Sequence, residues 1–282
     1  MLKICITGAD GFLGKNLSAR ISTLENISLS KINRNTSPDE YKNLLKDVDV
    51  VFHLAGVNRP INEYEFIEGN VKFTKDIMMH LGDSKKNVQF IVSSSVQAEL
   101  DNPYGRSKLA AEEYIREFVK GKQITAIIYR LQGVFGKWCK PNYNSVVATF
   151  CYNIARGLPI TVLNPDHELR LVYVDDVIEE FLSQVETSSP GTASYKHMET
   201  EYRITLDRLA STIQSFDSNR TTLFLPSVHD QLVKKLYSTY LSYLPINCFG
   251  YDMQLKTDNR GGLFEWIKGD FGQIFVSTTK PG

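Results

Sequence analysis

Within the stretch SSSVQAELDNPYGRSK, residues 93–108, Tyr104 is followed one helical turn later by Lys108 and preceded by a run of three serines. A phenol has a pKa near 10 and transfers protons poorly at neutral pH, but an adjacent ammonium favours the phenolate. Each unit of such a shift is worth about 1.4 kcal/mol. If a helix begins near Pro103, Tyr104 and Lys108 share one face of it. A strand-end hydroxyl could then donate to a substrate carbonyl. Ser93, Ser94 and Ser95 all qualify by type, and alternation along a strand turns one or two of them towards the sheet. Ser95, the last, stands at the exit where ligands bind in open α/β sheets. The chain holds 14 tyrosines, so the spacing alone proves little. Its meaning depends on the elements around it.

Those elements read as parallel βαβ units. Apolar runs at 2–8, 27–34, 49–56, 88–95 and 124–131 are expected strands, with amphipathic stretches between them. The first run ends in TGADGFLG, where Gly8, Gly11 and Gly14 stand three apart at a strand-to-helix turn. Glycines let a backbone approach a pyrophosphate, and the free N–H groups of a helix start favour its charge. Gly8, Gly11, Phe12, Leu13 and Gly14 are therefore candidate cofactor contacts, although the spacing is GxxGxxG, and a turn without a ligand is the competing reading. After the second strand an NAD enzyme usually carries an acid for the ribose hydroxyls. This chain has Asn33 and Arg34 instead. A guanidinium suits a 2′-phosphate, which points to NADPH; otherwise Arg34 is a solvated surface residue. Leu54, Ala55 and Gly56 put small residues where the third strand would pass beneath the cofactor, and His53 reads as a packed strand-end histidine. No partner at ligand spacing makes it a metal site.

Composition narrows the partners. The 282 residues include 32 basic and 32 acidic side chains, which gives no electrostatic case for nucleic acid or an anionic membrane. No apolar run approaches the roughly 20 residues of a membrane span. The start lacks a basic, cleavable leader pattern. Cys5, Cys139, Cys151 and Cys248 are scattered without CxxC spacing, so reduced thiols in a cytoplasmic protein are expected.

The second half is less regular. A helix is expected over 141–157 and a strand leading into a helix over 169–185, with Asp175 and Asp176 near the helix start. Residues 186–245 are polar and mixed, and after Pro245 the composition turns to strands and turns.

Taken together, TGADGFLG, HLAG, SSS, YGRSK and RLVYVDDV resemble the extended short-chain dehydrogenase/reductase family, which acts mostly on nucleotide sugars. The resemblance covers roughly 1–245. It implies a Rossmann-type doubly wound α/β fold with a smaller substrate lobe. The cofactor core would lie mainly in 1–135 and 168–185, and the substrate lobe mainly in 136–167 and 186–245. It also implies Tyr104 as general acid, Lys108 as its tuner and ribose contact, and Ser95 as carbonyl donor.

FGKWCKPNYNSVVATFCYNIARG and KLYSTYLSYLP resemble a capsular-polysaccharide branch of that family, as does the short gap between Ser95 and Tyr104. In that branch a reductase domain precedes a zinc-containing cupin. The reductase uses NADPH to reduce the C4 ketone of a UDP-2-acetamido-2,6-dideoxy-hexulose in the UDP-N-acetyl-L-fucosamine route. Lys137, Lys140, Asn142 and Arg170 are candidates for the substrate diphosphate, or else an exposed basic loop and an ion-paired arginine. Residues 246–282 are similar to the opening strands of the cupin; its histidine-rich metal segment is absent, so C3 epimerisation is not expected and no metal residues are assigned.

Two further departures matter. Gly133 stands where the family usually has asparagine, and Ser95 is followed by Val96-Gln97 where 4,6-dehydratases usually carry an Asp-Glu pair. A dehydratase, a C4-epimerase and a non-catalytic NADP-binding protein are the alternatives. A homodimer is implied by resemblance alone.

Overall fold

The computed structural model describes residues 1–186, 189–227, 229–270 and 272–280. The strands are β1 (Leu2–Thr7), β2 (Ile27–Ile32), β3 (Val50–His53), β4 (Val88–Ser95), β5 (Ile124–Leu131), β6 (Gly133–Phe135), β7 (Glu168–Tyr173), β8 (Thr192–Lys196), β9 (Tyr202–Thr205), β10 (Lys256–Asp258), β11 (Gly261–Gly269) and β12 (Gly272–Thr279). The helices are α1 (Phe12–Ile21), α2 (Pro38–Leu45), α3 (Tyr64–Phe66), α4 (Phe73–Leu81), α5 (Pro103–Phe118), α6 (Val146–Ile154), α7 (Val174–Ser183), α8 (Leu206–Asp217), α9 (Asn219–Thr222) and α10 (Gln231–Tyr243). A π-helical turn, Ile67–Lys72, joins α3 to α4.

Contacts divide the chain into two compact units, 1–134 with 172–201, and 135–171 with 202–282. The first contains a six-stranded sheet in the order β2-β1-β3-β4-β5-β8. Every pairing in it is parallel. Helices cover both faces of such a sheet, so its inner strands read as unbroken apolar runs. Val50–His53 is buried throughout, as are the first seven residues of β4. On one face Cys5, Val51, Phe90, Val92, Ala126 and Ile128 meet Ile77, Met78 and Leu81 of α4 and Ile115 of α5. Elsewhere in this unit Phe181 of α7 is fully buried, stacked on Phe52 and tilted against Tyr129. Burying one such phenyl ring contributes about 1.5–3 kcal/mol. α7 also meets α1 through the Arg20–Glu179 ion pair. Its first turn carries Asp175 and Asp176, as the sequence led us to expect.

β8 went unread in the sequence. Its five residues are mostly exposed, so it has no apolar pattern, and it is held to β5 by backbone pairing. The cysteines are free, and burial pushes the Cys5 thiol up to about 12.

In the second unit, α6, α8 and α10 bury Phe150, Cys151, Leu209, Ile213, Phe216, Leu236 and Tyr240. The helix expected over 141–157 is α6, started by Ser145, whose hydroxyl accepts from Ala148 N. β10, β11 and β12 form an antiparallel meander. The meander ties to residues 223–225 through two backbone bonds at Lys268, each 2.7 Å. Trp266, Ile274 and Phe275 on it are about half exposed, and Phe271 with the last two residues lies outside the described residues. No described helix is long and apolar enough to cross a membrane.

Candidate active site

The chain leaves β1 at Gly8 with φ +70°, and a Cβ there would sit 2.7 Å from the Ala55 backbone. Only glycine fits both restrictions. Gly11 then caps α1 without any side-chain acceptor, and the first turn carries no acid. The N–H groups of that turn are left for an anion, as a pyrophosphate requires. Phe12 and Leu13 open the helix, and Gly14 packs so closely on the Gly8 carbonyl that a Cβ would come within 2.2 Å of it. Leu54 and Ala55 lie beside this turn: Leu54 N donates to Thr7 O at 3.2 Å and Ala55 N to Thr7 Oγ1 at 3.3 Å. This backbone cradle fits a dinucleotide.

At the end of β2, Asn33 is occupied with its own turn. Its Oδ1 accepts from Asn35 N and its N–H donates to Thr36 Oγ1, both at 3.0 Å. Arg34 next to it is exposed and shows no ion pair among the described residues.

Ser95, Tyr104 and Lys108 meet where β4 gives way to α5. Asn102 caps the helix by accepting from Gly105 N at 2.8 Å, and Pro103 fills its first position. Gly105 lets the helix start press on the turn after β4, because a Cβ there would lie 2.2 Å from Gln97 O and 2.4 Å from Leu100 O. That contact fixes Tyr104 beside Ser95. Burial raises the Tyr104 phenol above its ordinary value, and a hydrogen bond with the Ser95 side chain opposes the rise. The Ser95 hydroxyl also accepts from Gln97 N at 3.2 Å. Lys108 lies on the same helix face, its Nζ 6.0 Å from the Tyr104 ring centroid and donating to Ser93 O at 3.1 Å. Enclosure of the ammonium lowers its pKa to about 8, against an opposing pull from Glu112.

A second set of side chains braces this group. Asn70, buried in the π-helical turn, donates from Nδ2 to Val57 O and Ser107 Oγ at 2.9 Å each, and its Oδ1 accepts from Val57 N at 2.7 Å. Gly56 lies against both Asn70 Oδ1 and Lys108 Nζ. His53 is buried between Thr7 Oγ1 at 2.9 Å and Thr74 Oγ1 at 2.8 Å. Burial, with the Lys108 charge as a lesser cause, lowers its pKa to about 3 and keeps it neutral. It is the packed histidine that its strand-end position suggested.

The remaining candidates belong to the second unit: Lys137 near the Trp138 ring, Lys140 over the Tyr143 ring at 5.0 Å, Asn142 with φ +52°, and exposed Arg170. Gly133 opens β6 and is exposed.

The family model described as the NAD dependent epimerase/dehydratase family matches residues 4–195, a stretch that contains the cradle and the Tyr104–Lys108 helix. The chain belongs to this family. A member from Pseudomonas aeruginosa, UDP-2-acetamido-2,6-beta-L-arabino-hexul-4-ose reductase, is 39% identical over the whole chain, which spans 76% of that protein. The capsular polysaccharide assembling protein CapF from Staphylococcus aureus superposes with a TM-score of 0.89 and is 41% identical over 99% of this chain and 76% of its own. UDP-glucuronic acid 4-epimerase from Bacillus cereus, solved with NAD, shares the fold with a TM-score of 0.70 over 86% of this chain and 98% of its own, at 18% identity.

Inspection of the sequence overlooked Asn70, Glu112 and Arg130 in this family member. The one available signal for Glu112 was its position one turn beyond Lys108 on the same helix. Asn70 sits in GNV between two ordinary helical patterns and advertises nothing.

Proposed function

We propose that the chain is an NADPH-dependent reductase of the C4 ketone of a UDP-2-acetamido-2,6-dideoxy-hexulose, giving the UDP-L-talosamine-type sugar. The juxtaposition of Tyr104, Lys108 and Ser95 at the end of β4, in a chain that also carries the glycine cradle, is the observation that carries this reading. The sugar is suggested by the Pseudomonas aeruginosa reductase.

The cradle at Gly8, Gly11 and Gly14 would hold the pyrophosphate, and Arg34 the adenosine 2′-phosphate. Bound NADPH supplies the hydride that C4 receives. Ser95 donates to the C4 carbonyl oxygen, and Tyr104 gives its phenolic proton to the same oxygen as charge develops there. The Lys108 ammonium stabilises the phenolate left behind, which regains a proton from water. Lys137, Lys140, Asn142 and Arg170 are assigned to the UDP diphosphate. Residues 246–282 are read as the opening of a second, β-rich domain.

The test is NADPH oxidation in the presence of the 4-keto UDP-sugar, already epimerised at C3 by a separate enzyme. Tyr104→Phe should lose about 10²–10⁴-fold in turnover while still binding NADPH. Equal turnover by wild type and variant would overturn the assignment. The family's description keeps dehydratase and C4-epimerase chemistry as the second reading. Against it, the turn after Ser95 begins Val96-Gln97, neither an acid nor a base, and the first carboxylate beyond them, Glu99, pairs with Arg130 at 2.8 Å.

A further inference from the structure

Glu112 is almost fully buried, at 1% exposure, in the helix that carries Tyr104 and Lys108. Four groups hold it. Ser94 Oγ donates to Oε1, Arg130 Nε to both oxygens at 3.1 and 3.2 Å, Arg130 Nη2 to Oε2 at 2.6 Å, and the Tyr195 hydroxyl to Oε2 at 3.1 Å. A buried carboxylate is costly unless it is paired and hydrogen-bonded, and this one has both. The Arg130 guanidinium is shared, because Nη1 also pairs with Glu99 Oε1 at 2.8 Å. Glu99 is largely exposed and screened by water, and Arg116 lies near Tyr195, whereas Glu112 is enclosed, so its charge is felt inside the fold. The cation that faces it is Lys108: Lys108 and Glu112 line one small cavity of mixed wall, polar at His53, Asn70, Ser93 and Ser94 and apolar at Ala111 and Ile115. Among the described residues that line this cavity, nothing else supplies an anion. His53 from β3 is neutral, Asn70 and Ser93 offer dipoles, and Tyr104 is a phenol held in its protonated form.

We propose that the Glu112 carboxylate, clamped by Arg130, Ser94 and Tyr195, is the counter-charge that holds the Lys108 ammonium in the reactive site. Glu112 is thus a positioning residue for the proton transfer of Tyr104. It touches neither substrate nor cofactor and acts through the lysine. The direction of its influence agrees, since its charge raises the Lys108 pKa against the desolvation that lowers it.

The inference rests on the reductase reading, so its test needs a readout that survives if that reading fails. Glu112→Gln keeps the shape and removes the charge. The ammonium is lost as pH rises through its pKa, so losing the counter-charge moves that loss to lower pH. We expect the alkaline limb of NADPH oxidation to move down by about one pH unit, with turnover at pH 6 nearly unchanged and Glu112→Asp restoring the wild-type profile. The pH above which NADPH binding weakens, read by cofactor fluorescence, should move likewise even if no sugar is turned over. A profile of unchanged shape, scaled down at every pH, would mean a purely structural role and would overturn the proposal. If Glu112→Gln does not accumulate as folded protein, E112Q/R130Q leaves neither charge of the pair without its partner and is read against Arg130→Gln, so that the two differ only in the Glu112 charge. Its limb should lie below that of Arg130→Gln. Equal limbs in these two variants would overturn the proposal equally.

Discussion

An ammonium shut away from water is costly, and Lys108 carries that cost inside the folded chain. Its folded pKa, about 8, lies below the ordinary lysine value of 10.5. Below pH 8 both folded and unfolded chains bind the proton, and the folded state suffers the full penalty. Between 8 and 10.5 the unfolded chain binds more protons, so this residue's burden on stability fades as pH rises. Lys108→Met should therefore stabilise the protein at pH 7 by on the order of 3 kcal/mol, a gain that shrinks to nothing above about pH 10.5. Urea denaturation at both pH values checks it, and the same variant should lose reductase activity. Arg34 makes a separate residue-scale prediction. If its guanidinium meets a 2′-phosphate, Arg34→Ala should raise the KM for NADPH by about 10–100-fold and leave that for NADH within about twofold. An unchanged KM for NADPH would return Arg34 to the solvated surface.

The helix that carries Tyr104 and Lys108 is aimed by its first turn. Asn102, Pro103 and Gly105 are local signals and could be read from the sequence as a capped helix start. That Gly105 abuts Gln97 O and Leu100 O could not, because spacing shows where a helix begins and not what it presses against. Gly105→Ala should cost about 1–3 kcal/mol by overpacking, read as a lower urea midpoint, and should depress turnover further by displacing Tyr104. Full stability with normal turnover would show that the turn yields freely. The glycine turn and the Tyr104–Lys108 pair were legible for the same reason: each is complete within a few residues. Asn70, Glu112 and Arg130 were not, since their partners are remote in sequence, Ser107 for Asn70 and Tyr195 for Glu112. β8 escaped for a different reason. An exposed edge strand needs no apolar alternation, only a neighbour's free backbone.

At the scale of the whole molecule, the parallel sheet and its helices gather the residues of the proposed site from strand ends far apart in sequence. β1 contributes the cradle, β3 its floor, β4 the serine, and α5 the tyrosine and lysine. Open parallel sheets bind ligands at this edge because all strands deliver their carboxyl ends there. The fold and family were readable from such strand-end motifs. The second unit was harder, because its helices and short strands pack through scattered residues such as Phe150, Phe216 and Tyr240 with no motif among them. The central claim, hydride delivery to C4 with proton delivery by Tyr104, is tested most directly by following the label from NADPH deuterated at the nicotinamide C4 into the UDP-sugar by mass spectrometry and proton NMR. The account predicts one deuterium at sugar C4 for each NADPH oxidised when both nicotinamide C4 positions are labelled, at a rate about 10²–10⁴-fold lower with Tyr104→Phe. Sugar converted without deuterium, with the cofactor left reduced, would contradict it and assign the site to dehydration or epimerisation.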